Sequence, residues 1–243
     1  MKNQLYHLIS VLTVVAYFLP IAIVAIRRLW KETTLLVFAA YWALSGFINI
    51  TDKITGIPEN VMVNIGIIYN MLDMPLVIAI YCFTTKLSGI RNFTRIVLPI
   101  YLLALCLNPF FQGLNYDGLK YLLGLGLILV FTIIIWDLVY HLRKLEHSSR
   151  EKAQMLIDAA LLFQYGTYVI IYIFDYFWVK ASNETDNFII YYISSIVALT
   201  VGSCAYLLVR RQEPAKSRHK KIRSDRNSDE RNKSQEDSIF TTY

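Results

Sequence analysis

Asp73 stands in the stretch YNMLDMPLVIAIYCF, residues 69–83, a run otherwise apolar enough to cross a lipid bilayer. An acid at the centre of a spanning helix costs about 2.5–3.5 kcal/mol on the insertion scale. Something has to offset that cost. A proton on the carboxyl is one solution, because the neutral group both donates and accepts hydrogen bonds; donors from neighbouring helices are another. Asn70 lies one turn earlier on the same face, Tyr69 sits four residues before the acid, and Gly66 and Val77 continue the row. Pro75 carries no amide donor and leaves the carbonyl of Met71 free beside the acid. Ionisable groups at mid-membrane depth are functional candidates by default, so Asp73 is read as a ligand contact or a proton relay. The competing reading is an inter-helix bond that fixes packing.

A second polar row runs through IDAALLFQYGTYVIIYIFDYFW, residues 157–178. Asp158, Tyr165, Tyr168, Tyr172 and Asp175 recur at helical spacing on one face, with Gln164 and Thr167 at nearby depth. Such a stripe is either packing mass, since tyrosine fills volume and needs one partner for its hydroxyl, or the aromatic wall of a cavity open to the outside. The candidate ligand-binding or proton-relay set is therefore Asp73, Asn70, Tyr69, Gln164, Tyr165, Tyr168 and Tyr172.

These residues need helices that cross a membrane to position them. Of 243 residues, 56% are hydrophobic, and they fall into blocks of spanning length, about 20 residues each, rather than into amphipathic stripes. Spans are predicted over 5–26, 34–50, 61–84, 96–111, 119–140, 156–178 and 188–209. The runs are too long and continuous for barrel strands. The first is longer than the 7 to 15 apolar residues of a signal peptide, is followed by Arg27 and Arg28, and is read as a retained span. The fold class expected is all-α, a seven-transmembrane-helix bundle over residues 1–211, followed by a polar, charged and disordered tail over 212–243.

Basic residues set the orientation. The connections after the first, third and fifth spans carry Arg27, Arg28, Lys31, Lys86, Arg91, Arg95, Arg143, Lys144, Arg150 and Lys152, whereas the opposite side holds Lys2, Lys53, Lys120 and Lys180. The positive-inside rule then places the N-terminus outside and the C-terminus in the cytoplasm of a plasma (inner) membrane. From Arg210 onward ten basic residues stand against six acidic ones, on the same side. The net charge of +6 is thus explained by topology, and no nucleic-acid partner is expected. A basic segment beyond the last span also suits anionic lipid headgroups.

Other polar positions are ranked lower. Cys82, Cys106 and Cys204 all fall inside spans without a CxxC pair and read as small buried packing residues. Ser45 and Asn49 are expected to join the inward network. Asp137, next to Trp136 near the end of the fifth span, is read as less firmly buried. Tyr191, Ser195, Ala198, Gly202 and Ala205 form a small-residue seam for close helix approach.

Several mechanisms lack their residues. A retinal protein needs a lysine within the bundle, and every lysine lies in a loop, a helix end or the tail. His7, His141, His147 and His219 lie outside the mid-membrane zone, and HExxH, the paired DxxxD motifs of prenyl transferases and GxGD are missing, so no metal or cofactor is expected and an enzyme is disfavoured. Sugar carriers of three-plus-one-plus-three design require matching breaks in both halves, yet Pro20 and Pro75 have no counterparts in the last three spans.

The segments YNMLDMPL, residues 69–76, and FQYGTYVIIY, residues 163–172, resemble those of uncharacterised seven-span bacterial membrane proteins. The resemblance covers the spans and not the tail, and implies a small stand-alone membrane protein. The function expected is sensory or partner-binding, with a small-molecule ligand held near Asp73 and a cytoplasmic protein partner engaged through the basic loops and tail. A small-solute or proton-coupled transporter and a structural membrane subunit are the alternatives.

Overall fold

The computed structural model describes residues 2–51, 53–54, 56, 58–113, 116–174 and 184–209. The helical body lies within Met1–Val209, and the tail expected over 212–243 lies outside the described residues. Seven α-helices follow one another: α1 Lys2–Arg27, α2 Thr33–Thr51, α3 Glu59–Thr84, α4 Ser88–Gln112, α5 Tyr116–Leu142, α6 Ser149–Ile173 and α7 Glu184–Leu208. Each is long and apolar enough to span a membrane.

Two helices begin earlier than hydropathy suggests. α4 starts at Ser88 rather than 96, with Arg91 and Arg95 exposed on its first turns, so the basic side chains sit outward while the backbone is already helical. α6 starts at Ser149 rather than 156 because Ser148 and Glu151 form a capping box that satisfies free amides at the helix start. Asp175 and Trp178, expected at the far end of α6, lie outside the described residues.

α1, α2, α3, α5, α6 and α7 pack in a closed ring, each against the next, and α4 lies outside it against α3 and α5. Accordingly 17% of the spanning window of α4 is buried, against 50% for α2. Leu8, Val15, Ile96, Leu103 and Ile128 face outward, while Ser45, Asp73, Asp137, Asp158, Gln164 and Ser195 are buried. That distribution, apolar outside and polar within, is the one a hydrocarbon surround favours. Hydroxyls near the outer surface are satisfied inside their own helix: Thr132 and Thr200 donate to carbonyls four residues back.

The small residues of α7 do form a seam. Ser195, Ala198, Gly202 and Ala205 are buried, and Gly202 receives the indole of Trp42, which would lie 2.6 Å from a Cβ added there. Arg27, at the last turn of α1, donates to the carbonyls of Tyr206 at 2.8 Å and Leu207 at 2.6 Å, capping the end of α7. The cysteines correct one expectation. Cys82 is buried, but Cys106 and Cys204 are exposed on the outer faces of α4 and α7, where a small polarisable side chain suits hydrocarbon as well as it suits a core.

Candidate functional site

Asp73 is 4% exposed and held by hydroxyls from two other helices. Tyr41 of α2 donates to Oδ1 at 2.8 Å and Tyr165 of α6 donates to Oδ2 at 2.9 Å. The two phenolic oxygens are themselves 2.9 Å apart. Among the described residues no lysine, arginine or histidine lies within salt-bridge distance of the acid. Three groups thus make three mutual contacts, and counting protons shows what the arrangement can do. With Asp73 ionised, two phenolic protons both point at the carboxylate and the tyrosine–tyrosine contact holds none. With one proton added, each of the three groups donates once and accepts once, and the ring closes. This clasp joins α2, α3 and α6, and its two protonation states differ by one added proton and the turn of one phenolic hydroxyl.

The other expected residues divide. Tyr69 donates to Ser45 at 2.8 Å, one turn from the clasp, and Ser45 in turn bonds the carbonyl of Tyr41 at 3.1 Å. Gln164 accepts from the indole of Trp42 at 3.3 Å and donates to Tyr168 at 2.7 Å. Tyr168 meets the ring of Tyr165 edge-on at 5.3 Å and stacks on Tyr191 at 5.4 Å. Tyr17 of α1 contacts the hydroxyl of Tyr191 at 3.1 Å and donates to Ser195 at 3.3 Å. Asn70 is half-buried beside this network, and Asn49 donates to the carbonyl of Ser45 at 2.8 Å. Tyr172 leaves the group and donates to the carbonyl of Lys120 on α5 at 2.8 Å. Tyr41 is a clasp residue absent from the set expected from sequence. Its signal was available, since Tyr41, Ser45 and Asn49 form an i, i+4, i+8 row on α2.

A second polar centre lies at the end of the bundle that carries the basic connections. Asp137 and Asp158 are buried, with His141 one turn after Asp137 on the same face of α5. Tyr81 donates to Asp158 Oδ1 at 2.7 Å and Gln154 donates to the same oxygen at 2.9 Å. Thr85 donates to Asp137 Oδ1 at 3.2 Å, and Asp137 Oδ2 is 3.7 Å from His141 Nδ1. Asp137 is therefore buried more firmly than its place next to Trp136 suggested. The reason is tertiary: the α3–α4 connection, with Thr85, covers it.

Beside these acids a cavity of about 220 Å³ is lined by Glu32, Thr34 and Leu35, by Thr84 to Leu87, and by the facing ends of α5 and α6. Its charged lining is largely paired. Lys144 bonds Glu151 at 2.5 Å and Arg150 bonds Glu32 at 2.6 Å. Glu151 beside Lys144 holds that ammonium above the usual lysine range.

No protein-family model, curated protein or solved structure matches the chain, so its functional reading rests on the clasp and the cavity.

Proposed function

We propose that the protein is a sensory or partner-binding multi-pass membrane protein, with its N-terminus outside and its basic end and tail in the cytoplasm of a plasma (inner) membrane. A proton, or a small ligand competing for the clasp hydroxyls at Asp73, changes how α2, α3 and α6 are tied together, and a cytoplasmic protein partner reads the result at the basic end. The observation that carries this reading is that the three clasp helices supply walls of the cavity: Thr34 and Leu35 from α2, Thr84 from α3, and Gln154 from α6. Two packed states of the ring, differing by one proton, are sufficient for a population shift, because a ligand moves an equilibrium only by its differential affinity for the two states. Among the described residues, Tyr69 on its own helix and Tyr101 on α4 also feel the charge of Asp73, besides Tyr41 and Tyr165.

A membrane-impermeant maleimide tests both parts, in a chain whose native cysteines are replaced by alanine. Thr34→Cys is expected to label in inside-out vesicles and not in right-side-out ones, at a rate that changes several-fold when Tyr165→Phe is added. Labelling from the outside contradicts the orientation, and a rate indifferent to Tyr165→Phe contradicts the coupling.

One observation favours a second reading. The interior hydroxyls and amides form a polar series from Asp73 through Tyr165, Gln164 and Tyr168 toward Tyr191 and Tyr17, which suits a proton-coupled transporter. Proton uptake into liposomes loaded with a pH-sensitive dye decides it. Uptake that disappears in Asp73→Asn selects transport, and no uptake above protein-free liposomes selects sensing.

A further inference from the structure

We propose that Asp137, His141 and Asp158 form a binding site for a divalent transition-metal ion, of the Mn²⁺ or Zn²⁺ class, beside the basic-end cavity, which Asp137 and His141 line. One ligand atom from each of the three residues lies within 4.8 Å of the other two. Two ligands each about 2.0–2.2 Å from a common ion lie roughly 3–3.5 Å apart, so a small inward rotation of the side chains completes the set. Asp137 and His141 come from one turn of α5, and Asp158 from α6, so a bound ion staples the two helices.

The site is built rather than merely acidic. Asp158 is fully buried, and its Oδ1 accepts both Tyr81 and Gln154, yet its Oδ2 has no hydrogen-bond partner among the described residues. A buried carboxylate oxygen left without a donor is costly, and a cation beside it removes the cost. Asp137 repeats the pattern, with Oδ1 taken by Thr85 and Oδ2 turned toward His141. In both carboxylates one oxygen is oriented by outer donors while the other is left to a cation, which is how metal ligands are held. Two carboxyl groups and an imidazole thus converge in one place. The nearby cations do not answer them, because Lys144 is engaged with Glu151 and Arg150 with Glu32.

Ligand type narrows the ion. An imidazole with two carboxylates and no thiolate suits Mn²⁺, Zn²⁺ or Fe²⁺ better than Ca²⁺ or Mg²⁺, which favour oxygen alone. The cavity supplies room for water at the remaining coordination positions.

The test uses the full chain, tag-free and purified in detergent in the presence of chelator, then incubated with Zn²⁺ or Mn²⁺, desalted and analysed by elemental mass spectrometry. One ion per chain is expected, bound at least tenfold more weakly by His141→Ala and by Asp158→Asn, and unchanged in Thr200→Val on the outer face of α7. Gln154→Ala, which alters an outer donor on a partly exposed residue, should weaken binding about 10- to 100-fold and keeps the test usable where a ligand variant does not fold. Metal should raise the thermal midpoint of the unaltered chain. Asp137→Asn should raise the midpoint of the metal-free protein while abolishing the metal-dependent rise, a pair of opposite changes that a purely structural role does not produce. Co²⁺ should give visible absorption bands of a nitrogen and oxygen ligand set, lost in His141→Ala. Less than a tenth of an ion per chain overturns the proposal and leaves the two carboxyls sharing a proton. Equal uptake by all the variants also overturns it, placing binding elsewhere on the chain.

Discussion

Tyr165 of α6 donates to Asp73 of α3 at 2.9 Å, linking two helices that are not neighbours in the ring. The bond crosses the interior, and Tyr41 of α2 closes it into a clasp through contacts of 2.8 Å and 2.9 Å. Helix order alone would leave α3 and α6 free to shift past each other. One carboxyl prevents this, and the cost of burying it is offset by donors that lie one and three helices away along the chain.

A double-mutant cycle checks the clasp. Tyr41→Phe and Tyr165→Phe each remove one hydroxyl at nearly constant volume, and each should destabilise the protein by about 1–3 kcal/mol, since each leaves a buried carboxyl oxygen short of a donor. Because both act on the same acid and on each other, their effects should be non-additive by about 0.5–3 kcal/mol. Thermal or denaturant unfolding in detergent measures this. Additivity within a few tenths of a kcal/mol would mean that the three groups do not act as a unit.

The spans were legible from sequence because hydropathy over about 20 residues is a local property. Asp73, Tyr69, Gln164, Tyr165 and Tyr168 were likewise visible, since polar groups in an apolar run stand out and helical spacing puts them on shared faces. What pairs with what was not visible. Tyr41 shares a legible row with Ser45 and Asn49, but its bond to Asp73 exists only once α2 is set against α3, and Tyr172 shares the stripe on α6 yet turns to the carbonyl of Lys120. Asp137 and Asp158 each looked like an acid near a helix end. Their convergence depends on how α5 and α6 register, which no single helix encodes. The starts of α4 and α6 were also missed, because charged first turns lower hydropathy while the capping box at Ser148 and Glu151 favours the helix.

Gly202→Ala should be destabilising. Its Cβ would meet the indole of Trp42 at 2.6 Å, and Trp42 is fully buried between α2 and α7 while its ring nitrogen bonds Gln164. Overpacking of this kind costs about 1–3 kcal/mol. A lowered thermal midpoint together with a shift in tryptophan emission is expected. An unchanged midpoint would show that the seam yields more readily than its packing implies.

The Lys144–Glu151 pair gives a pH dependence of definite sign. Glu151 raises the lysine above its ordinary range, so the folded state holds that proton more tightly than the unfolded one. The stabilisation is fully present below the ordinary lysine range and is lost as pH rises through the raised value. The pair is partly exposed, so the effect is small and weakens with salt. Titration of Lys144 by NMR of side-chain-labelled protein should show the upward displacement, returning toward the ordinary value in Glu151→Gln. The same titration in both proteins would remove the pair from the account.

The most direct measurement of the link between clasp and cavity is amide hydrogen exchange on the full chain in lipid nanodiscs, comparing the unaltered protein with Tyr165→Phe. The account predicts faster exchange at residues 85–87 and 140–144, which border the cavity more than two helical turns from the clasp. Exchange altered only around residues 41, 73 and 165, with the basic end unchanged, would contradict it.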